Sequence, residues 1–249
     1  MNNLLVAFLF LFVGSAQAYN IYTSDDNEKT LNMSGNIKFD VNSFNAKDLK
    51  FPDHAKLSTL AFTISGDLSS DWKFSSGFNF ADEKVSLQDV FLKYSGLSPR
   101  SSLVIGKIGL PYDLSNSWSG ADLPFIERNI CNKTISPSSG IGGKYLANNE
   151  NVFFGIGLVS VKDSYGSKND GQRGDGWDSA FHFVVSPIVE EDNVFHIGTF
   201  GSYGKIRSKE FKVNPELSTP IPAIKVKEDS LKNYRTFGSE IAFSSGQFY

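Results

Sequence analysis

The side chains best placed to do chemistry are cations set along strand-like runs. Lys38, Lys73, Lys93, Lys107 and Lys144 each fall among residues that alternate between apolar and polar. A β-strand turns successive side chains to opposite faces, so a period of two builds one apolar row and one polar row. With the apolar residues taken as one row, all five lysines share the other, together with Asp40 and Asp89. If such strands close into a ring, the ammonium groups face a common space. Rings of Lys or Arg select anions and phosphate. The plainer alternative is a polar face of mixed charge.

No catalytic grouping competes with this, and no enzyme is expected. There is no Ser-His-Asp order, no Gly-rich phosphate loop and no zinc spacing. His182 and His196 have polar-row parity on neighbouring strands, so they can face each other across a hairpin. A third ligand is not evident, and neither a metal site nor a cofactor is expected. Asp170-Gly-Gln-Arg-Gly-Asp-Gly176 lacks the spacing and terminal Glu of a calcium loop and reads as a flexible loop. Asn32-Met-Ser and Asn132-Lys-Thr match the glycosylation acceptor pattern without further support. His54 falls in a loop. Cys131 is the only cysteine, so no internal disulfide framework is possible. The formal charge of −3 and the absence of a basic cluster exclude nucleic acid as a partner.

The elements that must position the lysines are strands. The chain uses 22 Phe and 22 Gly against 2 Met, a balance that suits alternating strands better than helices. Period-two runs fall at 33–39, 59–65, 72–80, 85–94, 102–109, 140–147, 151–161, 177–186, 194–203 and 234–243. The second and third share parity about Leu68, which predicts Phe62 facing Phe74 and Ile64 facing Trp72. Trp72, Tyr94, Tyr145, Tyr203 and Tyr234 lie near strand ends, where an interfacial girdle sits in a membrane barrel.

The connections are sorted by edge. Those at 40–56, 111–139, 162–176 and 205–233 are long and fall on one edge of the sheet. Those at 66–70, 96–101, 148–150 and 187–193 are short and fall on the other. Only 81–84 is short on the long-loop edge. Short turns on one side and long loops on the other are the pattern of an outer-membrane barrel, and a soluble β-sandwich has no reason to produce it.

The N-terminus carries an apolar run from Leu4 to Val13 and then Ala16-Gln-Ala18. This is the form of a secretory signal peptide over 1–18, too short to span a bilayer as a helix. No later stretch has the roughly eighteen consecutive apolar residues a membrane helix needs. The expected location is the bacterial outer membrane, reached by export.

The longest connection carries sharper motifs. Gly106-Lys-Ile-Gly-Leu-Pro-Tyr112, then Phe125-Ile-Glu-Arg128, then Gly140-Ile-Gly resemble the strand and constriction loop of the phosphate-selective porin O and P family. The resemblance covers nearly the whole mature chain. It implies an all-β antiparallel transmembrane barrel, with a pore-constricting loop at about 111–139. It also implies passive diffusion of small anions such as phosphate or pyrophosphate. A general non-selective porin and a structural or adhesive barrel are the alternatives.

The family's strand before the loop reads Gly-Gln-Phe-Lys-x-Pro-Phe. Here Gly109 stands at the lysine position, and Lys107 lies two residues earlier on the same strand face. Glu127 and Arg128 match the family's loop motif. Glu127 is expected to anchor the loop, and Arg128 either anchors it or meets the permeant ion. The family's barrels have about sixteen strands and are usually trimeric. About ten strands fit in 19–249, and single-chain barrels close with an even number and no free edge. The chain is therefore expected to be the N-terminal part of a barrel, truncated after about ten strands.

Overall fold

A computed structural model describes residues 6–45, 54–81, 85–118, 136–161, 176–190, 192–205, 210–213, 224–227 and 233–246. Eleven strands form one antiparallel sheet in the order β1-β2-β3-β4-β5-β6-β7-β8-β9-β10-β13. They are β1 (Val6–Thr23), β2 (Thr30–Asn45), β3 (His54–Asp67), β4 (Trp72–Asn79), β5 (Ser86–Ser98) and β6 (Ser101–Ile108). There follow β7 (Gly140–Asn148), β8 (Val152–Val161), β9 (Gly176–Val189), β10 (Asn193–Lys205) and β13 (Asn233–Ser245). Two short strands, β11 (Glu210–Val213) and β12 (Ile224–Lys227), pair only with each other. The one helical element among the described residues is α1 (Leu114–Ser117). The strands read from alternation are β2 to β10 and β13, joined in sequence order as an up-and-down meander. β1 and β13 are the edges of the sheet and do not pair with each other.

The segment read as an export leader is placed as most of β1, paired with β2 from Val6↔Asn45 to Thr23↔Thr30. An extended apolar run satisfies its own backbone and that of β2 in this arrangement.

One sheet face is apolar and open. Ile105, Ile141, Ile156, Leu158, Phe237, Ile241 and Phe243 all lie on it, with Ile141 68%, Phe237 78% and Ile241 73% exposed. Trp72, Tyr94, Leu103, Tyr145, Ile156, Phe181, Gly201 and Phe237 form one continuous cross-strand row there. The Trp72 and Tyr94 rings lie 4.8 Å apart. Tyr234 departs from the expected girdle: it pairs with Gly204 and turns to the opposite face.

The register of the β3–β4 hairpin also differs from expectation. Phe62 faces Phe78, and Phe74 faces Gly66. The turn sits later, with the Leu68 and Ser69 amides both donating to the Trp72 carbonyl. This register sets Asp67 directly opposite Lys73, with an ion pair of 2.7 Å. A directly opposed charge pair favours it over one that matches apolar residues alone.

The other face is covered. A hydrogen bond joins Tyr112, just beyond β6, to Thr236 on β13, five strand spacings away. Four extended residues span at most about 14 Å, whereas five spacings of about 4.8 Å span about 24 Å. Even with a tyrosine side chain added, a flat sheet leaves no slack for the contact, so the sheet curls toward the face that carries this loop. Gly106 assists where β5 crosses β6. Its φ is +146°, and a Cβ there would lie 2.2 Å from the Val90 carbonyl oxygen. Only glycine fits.

Candidate functional site

The curled face is organised by the chain that follows β6. Leu110 and Tyr112 are buried against Val104, Ile108, Val159 and Ala180. The Tyr112 ring meets Phe200 edge-on at 4.7 Å. Space for this chain is made on β8: a Cβ at Gly155 or Gly157 would lie 2.7 Å from Pro111 Cβ or from Leu110 Cδ2 respectively. Asp113 then caps α1, its Oδ1 accepting from the Asn116 amide at 2.7 Å. The returning limb is held as well, by Asn116 Nδ2 donating to Ser136 Oγ at 2.8 Å and the Ser138 amide donating to Asp178 Oδ2 at 3.3 Å. Both ends of the long connection therefore lie against the inner side of the curl.

Three of the expected lysines share one row on this face. Direct cross-strand pairs run Asp67, Lys73, Lys93, Val104, Lys144, Gly157, Ala180, Ser202. Paired residues point to the same side, so Lys73, Lys93 and Lys144 project from the face that carries the root of the loop. Lys144 Nζ donates to the Gly109 carbonyl at 3.0 Å. Gly109 is where the motif places lysine, so an ammonium group from β7 sits at that point. Asp89 and Lys93 are charged groups close enough to act on it. Lys38 lies on the same face further round the curl, 4.0 Å from Asp40.

A family comparison accounts for this arrangement. Residues 31–240 match the family model for phosphate-selective porin O and P. The chain belongs to that family. Porin O and P proteins are outer-membrane channels rather than enzymes, and the meander of antiparallel strands agrees with the porin type of barrel. No curated protein matches the chain.

Lys107 is a correction to the expectation that all five lysines share a face. It pairs with Val90 and Ile141 on the open apolar face, away from Lys144, and its amino group donates to the Leu87 carbonyl. Alternation placed Val104 and Ile108 in the outward row because they are apolar. They are in fact the inner floor on which Leu110 and Tyr112 rest. The porin loop makes β6 apolar on both faces, and the parity rule then points the wrong way. Glu127 and Arg128 lie outside the described residues.

Sequence reasoning missed Glu240. His182 and His196 do converge, with ring centroids 6.4 Å apart, although His182 pairs with Phe200 rather than with His196. Glu240 Oε1 lies 2.7 Å from both Nε2 atoms, and its Oε2 accepts from the Leu114 amide at 2.8 Å. Its parity on β13 could have flagged it, since it alone is charged in the inward row Tyr234, Thr236, Gly238, Glu240, Ala242. The register of β13 on β10, set across the long 205–233 connection, was the unknown.

Proposed function

We propose that the protein is an outer-membrane channel for passive diffusion of small anions, with phosphate and pyrophosphate as the preferred class. The observation that carries this reading is the row Lys73, Lys93, Lys144 on the face that carries the root of the loop. Fixed ammonium groups along a narrowed aqueous path lower the electrostatic barrier for anions and raise it for cations. Lys144 at the loop root stands in for the motif lysine, and Arg128 on the loop is a further cation for the permeant ion, with Glu127 as its anchor. The open apolar face with its aromatic row is the lipid contact. Lys107, near the long-loop edge of that face, reaches toward the headgroup level as lysine stems do. Residues 1–18 serve as the export leader, and assembly as a homotrimer follows the family expectation.

A second reading, a general diffusion porin, has its own support. Lys73 is paired with Asp67 at 2.7 Å and Lys38 lies 4.0 Å from Asp40, so part of the positive field is cancelled locally. Reversal potentials in planar bilayers under a KCl gradient separate the two. Anion selectivity with block by phosphate supports the first, and cation selectivity or none supports the second.

A further inference from the structure

We propose that His182, His196 and Glu240 form a binding site for one divalent transition-metal ion of the Zn2+ class. The three residues come from adjacent strands β9, β10 and β13, and one ligand atom from each lies within 4.8 Å of the others. Two imidazole nitrogens and a carboxylate oxygen are a familiar three-ligand zinc set that leaves a fourth position for water. Both Nε2 atoms sit 2.7 Å from Glu240 Oε1. An ion with bonds of about 2.0–2.2 Å spreads tetrahedral ligands to roughly 3.3–3.5 Å apart. Withdrawal of the carboxylate by less than about 1 Å therefore opens the place for it.

Charge points the same way. Among the described residues Glu240 has no Lys or Arg ion pair; its partners are the two histidines and the Leu114 amide. His182 is 2% exposed, so the cluster is shielded from water on its β9 side. A dication held between the three side chains neutralises the carboxylate.

The setting is built for ligation. Leu114 N–H holds the far carboxylate oxygen, the kind of support that fixes a metal ligand's orientation. The Phe153 and Phe200 rings meet His182 edge-on at 5.5 Å and 6.4 Å and limit its rotation. Because Leu114 belongs to the loop, a bound ion ties three strands to the root of that loop. The site stands whether or not the channel selects anions.

Zn2+ titration by calorimetry into the full chain, folded in detergent micelles, tests the proposal, with Co2+ absorption as the readout of geometry. The expected result is one ion per chain, a tetrahedral or five-coordinate Co2+ spectrum, and a Zn2+-dependent rise in Tm. His182→Gln, His196→Gln and Glu240→Gln should each weaken binding by more than the roughly 10–100-fold that loss of a supporting partner costs. His196 is less buried than His182, so His196→Gln decides the matter if the other variants do not fold. Absence of Zn2+ binding by the folded chain, or binding unchanged in folded His196→Gln, would overturn the proposal. The second result would place the ion elsewhere, for instance at Cys131 or His54.

Discussion

Tyr112 donates a hydrogen bond of 2.8 Å to Thr236 across 124 positions of sequence, joining the root of the long loop to the last strand of the sheet. Thr236 is held in turn by Ser202 at 2.5 Å. This contact places the root of the loop on the inner side of the curl. Tyr112→Phe keeps the ring against Phe200 and loses only the hydroxyl, so it should cost about 1 kcal/mol. Tyr112→Ala also removes the ring from a buried cluster and should cost about 3–5 kcal/mol. Urea unfolding of the folded chain measures both, and equal losses in the two variants would show that the ring packing is not what holds the loop.

The glycines of β8 give a second handle on the loop. Gly155→Val places methyl groups where Pro111 lies. Overpacking of this kind costs about 1–3 kcal/mol, and it should lift the loop from the wall. Single-channel conductance should then rise relative to wild type. A fall in conductance would mean that the loop moves inward instead.

Leu114→Pro isolates the amide that supports Glu240. Leu114 is the first residue of α1, a position where proline is well tolerated. Asp113 before it has φ −129° and ψ 173°, which suits a residue preceding proline. The chain should fold, while Zn2+ affinity should drop by about 10-fold or more. Unchanged affinity, read by calorimetry, would show that the amide does not orient the carboxylate.

Much of this fold was legible because alternation is local. The runs around Ile37, Phe62, Phe74, Leu92, Ile156, Phe183 and Ile241 each declare a strand without knowledge of its neighbours. The sorting of loops by edge declared the meander. Faces were legible only where one side was uniformly apolar. At β6 the loop supplies a second apolar environment through Leu110 and Tyr112, so Val104 and Ile108 point inward and Lys107 outward. The register of β3 on β4 was set by Asp67 and Lys73, a charge pair invisible to an apolar count. The His182–His196–Glu240 cluster needed the β10–β13 pairing, which joins residues across the long 205–233 connection and has no local signature.

On the proposed reading, the lysines of the inner row, and not lysines in general, set the selectivity. Reversal potentials in a KCl gradient, followed by phosphate titration, test it most directly in wild type, Lys93→Ala, Lys144→Ala and Lys107→Ala. Wild type should show anion selectivity and phosphate block, Lys93→Ala and Lys144→Ala should weaken both, and Lys107→Ala should change neither. An unselective wild-type channel, or a loss in Lys107→Ala as large as that in Lys144→Ala, would contradict it.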